Sequence, residues 1–166
     1  LIAAVTLTAG DLWLFRKMGN YAREVGLEEA TTPSSLARFL QNDPDKFRVL
    51  SLQPYEQGSN RNESLREFVH ADTCTIWNIE SADVYLSLLL KRYHALREGI
   101  VWQLLRHPET ASKLAGLLGA MNIRYVVAPP SLTLSGWEQR FTTPVSITWK
   151  NPEFLPVSYT HLRAHE

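Results

Sequence analysis

Cysteine is almost missing from this sequence. Cys74 is the single one in 166 residues, so the chain makes no internal disulfide and offers no second thiol for a metal site. A charge excess is missing too: Lys plus Arg and Asp plus Glu are 17 each. That balance excludes the basic footprint of a nucleic-acid binder and leaves no acidic tail. The eight glycines are scattered, and none falls into GxGxxG or GxxxxGK[ST], so no phosphate-cradling loop is written here. HExxH and GxSxG are absent. No stretch reaches the ~20 apolar residues that cross a bilayer. Internal repeats and low-complexity runs are lacking as well. No motif asks for a cofactor or a metal, and no catalytic residue is assigned.

What remains is the composition of a folded domain, 45% hydrophobic and 20% charged, in a chain long enough for one domain. Residues 1–10, LIAAVTLTAG, carry no charge. They fit either the end of a membrane-crossing helix or a short buried element of a soluble protein. Trp13 and Tyr21 suit an interfacial belt, with Arg16 and Lys17 beside them. The stretch 23–32 reads as a polar linker.

Ser34 is a candidate cap for a short helix, with Leu36, Phe39 and Leu40 on its apolar side and Pro44 beyond its end. FRVLSL at 47–52 alternates as a half-buried strand, and 53–62 is loop by composition. TCTIW, from Thr73, looks extended. A long helix starts at Ser81 or Asp83 and ends or bends at Gly99, and IVWQLLRH continues the helical run. PETASKLAGLLGAM is a further helix with proline at its start. NIRYVVA is a buried strand, 132–140 is loop or short helix, and VSITW is a last strand. Two helices between the first two strands allow a parallel crossover. The expected fold is α/β: a small mixed sheet with flanking helices, preceded by the end of a transmembrane helix.

Polar residues cluster in loops around element starts, where binding sites commonly form. The candidates are Asn62, Asn78, Glu80, Ser81, Tyr85 and Arg92. The same residues also suit structural work: Asn78 or Ser81 as a cap for the Asp83 helix, asparagines as turn formers. The paired acids Glu28-Glu29 and Asp43/Asp45 flank loops and read as solvated.

Together these segments resemble the YfhO family of bacterial multi-pass membrane proteins, which are themselves similar to the GT-C glycosyltransferases. Phe39-Leu40 through Phe47-Arg48-Val49-Leu50 resembles the family's "FL…FRVL" strand entry. Asn62 stands where the family tends to have a loop asparagine. Ile79-Glu80-Ser81 with Tyr85 and Arg92-Tyr93 resembles "I-x-S-x-x-GY…RY". Asn122-Ile123-Arg124-Tyr125-Val126-Val127 resembles "LLNVKYVV", and Asn151-Pro152 with Leu155-Pro156 resembles "NPxxLPR". Two departures stand out: Val84 replaces the glycine before Tyr85, and Val157 replaces the final arginine. The resemblance implies a parent that acts on a lipid-linked sugar in cell-envelope glycosylation. Its partners would be the bacterial cell membrane, through helices outside this chain, and a polyprenyl-linked sugar or envelope polymer, with no nucleic acid. It places this domain on the extracytoplasmic side and the catalytic loops elsewhere in the parent.

The tail VSYTHLRAHE, 157–166, matches one reading frame of a transposase adapter used in sequencing libraries. The chain therefore divides into 1–22, the end of a membrane helix and its approach; 23–156, the extracytoplasmic α/β domain; and 157–166, an adapter-derived tail. Two other readings compete. One is a non-enzymatic envelope module that binds glycan or a partner, with Trp77 in the sugar site. The other is a soluble cytoplasmic α/β domain.

Overall fold

The computed structural model describes residues 31–52, 66–69, 71–83 and 91–156. The apolar start, Glu28-Glu29, the 157–166 tail, Asn62 and Tyr85 lie outside the described residues. One compact unit begins at Pro33.

Helix α1 spans Ser35–Gln41. Ser34 holds an extended backbone before it, and its hydroxyl accepts from the Ala37 N–H at 3.1 Å, satisfying a donor that the first turn cannot. Strand β1, Arg48–Ser51, follows. The remaining elements are α2 (Ala71–Ile76), β2 (Glu80–Ser81), α3 (Lys91–Arg106), a single 3-10 turn at Pro108–Thr110, α4 (Ala111–Ala120), β3 (Ile123–Ala128), β4 (Glu138–Thr142) and β5 (Ile147–Lys150).

The five strands form one sheet in the order β2-β1-β3-β5-β4. β1 runs parallel to both β2 and β3, while β5 is antiparallel to β3 and to β4. This is the mixed α/β sheet that the strand–helix–helix–strand order implied. Its two faces bury two cores. Leu50, Leu52, Leu104, Leu118, Ile123 and Val126 join one, under α3 and α4. Leu36, Leu40, Val49, Trp77, Tyr125 and Val127 join the other, under α1 and α2. Each fully buried leucine contributes about 1.5–3 kcal/mol of transfer free energy.

A bulge re-aims the start of β3. Arg48 pairs with Ile123, but Val49 pairs with Tyr125, so Arg124 is one residue more than β1 can oppose. The slip puts Ile123 and Val126 into one core and Tyr125 and Val127 into the other, where strict alternation would not. It also delivers Arg124 to the loop after α1. There its Nε lies 3.0 Å from Asp43, and its Nη1 pairs with Asp45. The Tyr125 hydroxyl donates to the same Asp43 carboxylate at 2.6 Å. Burial raises the Tyr125 phenol above its ordinary value, and Asp43 adds to the rise. Asp43 is thus a nearly buried anchor, not the solvated acid that its loop setting suggested.

Three sequence expectations need correcting. The 73–77 stretch is not extended; Thr73 to Ile76 belong to helix α2, with Cys74 and Trp77 packed into the core beneath it. Burial pushes the Cys74 thiol up to about 12, and its Sγ donates to the Val69 carbonyl. Gly99 neither ends nor interrupts α3, which runs on to Arg106. The 132–140 region is not wholly loop: it enters β4, an edge strand whose residues are mostly exposed and so leave no apolar pattern to read.

Asn151 closes the sheet. It is buried, and its Nδ2 donates to the carbonyls of Ala115 and Ile123, each at 3.0 Å, while its Oδ1 accepts from the Glu153 N–H. One amide thereby ties β5 to α4, to β3 and to the chain that follows. Asn151→Ala should cost about 3 kcal/mol by leaving buried backbone groups without partners. Urea denaturation checks this, and an unchanged midpoint would remove the clamp from the account.

Candidate functional site

In open α/β sheets, ligands gather where parallel strands end and the chain departs to opposite sides. β1 lies between two parallel neighbours, β2 and β3; its register with β2 closes at Val49 and Ser81, and β1 runs on to Ser51. The chain leaves β1 towards β2 at one edge of the sheet, whereas β3 continues towards β5 on the other side. The residues just beyond these ends therefore carry the candidate site.

Asp83 is its centre. The Ala82 N–H donates to the Val49 carbonyl at 2.8 Å, extending the ladder past β2. The Asp83 N–H then donates to the Ser81 hydroxyl at 2.9 Å, a side-chain turn that bends the chain inward. The buried carboxylate accepts from the Ser51 N–H at 2.9 Å through Oδ2 and from Arg97 Nε at 2.7 Å through Oδ1. Arg97 Nη2 reaches Oδ1 as well. Asp83 thus supplies the acceptor that the end of β1 needs and fastens α3 to the edge of the sheet. Tyr93, one turn earlier on α3, donates its hydroxyl to the Ala82 carbonyl at 2.7 Å. Burial pushes the Tyr93 phenol above its ordinary value; Arg48 pulls it back, Asp83 adds to the rise and Arg97 pulls back again. The Ser51 hydroxyl is buried and has no hydrogen-bond partner among the described residues.

The residues singled out from sequence are distributed around this edge unevenly. Ser81 belongs to it, as the hydroxyl that turns the chain into Asp83. Glu80 sits one residue earlier, exposed, 3.8 Å from Arg48 across the β1–β2 pair. Asn78 serves the preceding helix instead: at φ 53° it adopts the left-handed conformation that closes α2, with its N–H donating to Thr75. Arg92 is exposed on α3. Trp77 is 2% exposed and packs in the core, so it offers no face to a sugar. Sequence reasoning missed Asp83 as a ligand and Arg97 altogether. Their fourteen-residue separation matches no local period, and only the return of α3 to the sheet brings them together.

Chemically, a buried carboxylate, a part-buried guanidinium and phenol and a buried, unpaired hydroxyl meet within one short arc, and the carboxylate and phenol already bond inside the fold. Such a set orients a polyhydroxylated or phosphorylated ligand by hydrogen bonding. Among the described residues, no group of three His, Cys, Asp or Glu side chains could hold a metal ion, and no helix is long and apolar enough to cross a membrane. No family model matches the chain, and neither does any curated protein or solved structure.

Proposed function

We propose that this chain is the extracytoplasmic α/β domain of a bacterial membrane protein of the YfhO type, serving lipid-linked sugar transfer by holding the acceptor polymer at the carboxyl edge of β1 and β2. The observation that carries the reading is the arrangement of Ser51, Ser81, Asp83, Tyr93 and Arg97 where those parallel strands end. The family-like segments support it in a second way: they form β1, β2 and β3 and supply the Asn151 clamp, so the resemblance rests on the framework of the sheet. The Arg97 guanidinium, held at this edge by Asp83, is a planar donor suited to sugar hydroxyls and to the phosphate of a polyprenyl carrier.

The test is a titration of the ¹⁵N-labelled chain with a short-chain, water-soluble polyprenyl-phosphate saccharide and, separately, with the lipid-free oligosaccharide. Shifts confined to the amides of Ser51, Ser81, Ala82 and Asp83 and to the neighbouring turn of α3 are expected with both. No shifts at millimolar saccharide, or shifts scattered over the α1–α2 side, would sink the reading.

A further inference from the structure

Helix α3 has an outward face unlike its buried one. Ile100 and Leu104 point into the core, whereas Arg92, Ala95, Leu96, Gly99, Trp102 and Arg106 are exposed. Their spacing of three and four residues keeps them on a single stripe. Leu96 is 44% and Trp102 53% exposed, large apolar groups left in water. The Arg106 guanidinium lies over the Trp102 ring, 4.8 Å from its centroid. Gly99 costs α3 about 1 kcal/mol relative to alanine in mid-helix. Nothing inside the protein needs its missing side chain, since a Cβ there would meet no atom within 4 Å. Its effect is a flat band between Leu96 and Trp102.

The fixed charge on the stripe itself is positive. The stripe carries Arg92 and Arg106 and no acid, with Lys91 at its rim. α4, which packs on the same core, exposes Lys113 and Leu117. Two acids lie beside the stripe: Glu98 pairs with Arg97, and Glu109 lies 3.3 Å from the His107 ring. A second copy of the chain laid on this face would set arginine against arginine, which disfavours a dimer here.

We infer that the outward face of α3 docks on an anionic lipid surface, with Trp102 and Leu96 at headgroup level and Arg92 and Arg106 on lipid phosphates. Aromatic and basic residues on one helical stripe are the chemistry of an interfacial helix. The inference uses residues separate from the β1–β2 edge and stands whether or not that edge binds saccharide.

The test mixes the chain with vesicles of phosphatidylcholine alone and of phosphatidylcholine with phosphatidylglycerol, at physiological salt. Co-sedimentation is expected with the anionic vesicles only. Arg92→Gln with Arg106→Gln should weaken it by about fivefold for each charge removed. Brominated lipid should quench tryptophan emission, and Trp102→Phe should remove that quenching. Ala95→Glu places a negative charge on the band without removing any core contact, so it should also weaken binding with an unchanged circular dichroism spectrum. Equal binding to neutral vesicles, or anionic binding that survives all of these substitutions, would overturn the inference and move it to another segment. Concentration-dependent self-association lost on Ala95→Glu, without vesicle binding, would make the face an interface between copies instead.

Discussion

Gly119→Ala is expected to destabilise the domain by about 3 kcal/mol, enough to lower its melting temperature by about 10 °C. Helix propensity alone predicts the opposite, because alanine is favoured over glycine inside a helix by about 1 kcal/mol. The geometry reverses the sign. A Cβ on Gly119 would stand 2.1 Å from the Glu153 carbonyl oxygen and 3.0 Å from its carbon. Those are backbone atoms, and the segment that bears them is fixed by Asn151, whose side chain holds Ala115 on the same helix. Neither side can yield without breaking that clamp. Gly116 supplies the control. Its added Cβ would meet the Glu153 side-chain carboxylate at 2.8 Å, the far end of a flexible chain that can swing aside. Gly116→Ala should therefore be neutral or slightly stabilising. Thermal denaturation of the two variants decides the matter. Equal melting temperatures would mean that the 151–155 segment does not rest on α4.

The framework was legible in the sequence because its signals are local. NIRYVVA is apolar over four consecutive residues, Tyr125 to Ala128, on a strand buried on both faces, and Ser34 announces α1 by a cap that needs only three residues. Non-local constraints were the harder part. Thr73, Thr75 and Ile76 are β-branched and favour a strand by propensity. They fold as a helix because Cys74 and Trp77 must reach one core within a single turn, with Asn78 stopping the helix in the left-handed region. β4 exposes most of its residues and is a strand only because β5 pairs with it. The bulge at Arg124 is likewise invisible in composition. It follows from register with β1 and from the pull of Asp43 and Asp45. The site divides in the same way. Ser81 was readable as a polar candidate, though it ends β2 and does not start a helix, whereas the Asp83–Arg97 pair depends on where a sixteen-residue helix returns to the sheet.

That pair should behave as a coupled unit. Asp83→Ala removes the acceptor for the Ser51 N–H and leaves the Arg97 guanidinium, whose side chain is 24% exposed, with Glu98 as its remaining carboxylate partner. Breaking one side of a buried, hydrogen-bonded ion pair costs about 3–5 kcal/mol, and the greater burial of Asp83 places its loss towards the upper end. Arg97→Met leaves the carboxylate with the Ser51 N–H as a remaining donor and keeps an apolar stem against the sheet, so it should cost less. The double variant Asp83→Ala/Arg97→Met should be more stable than the sum of the single losses predicts, by about 1–3 kcal/mol, because both single changes break the same ion pair and its loss counts only once in the double variant. Urea denaturation of the four proteins completes the cycle. Strict additivity would mean that solvent screens the pair and that β2 is held to α3 by the Tyr93–Ala82 bond and apolar packing alone. The less costly variant also separates structure from binding. If Arg97→Met stays folded and loses the saccharide-induced shifts at Ser51 and Asp83, the guanidinium serves the ligand as well as the fold; if the shifts persist, its work is done once α3 is docked.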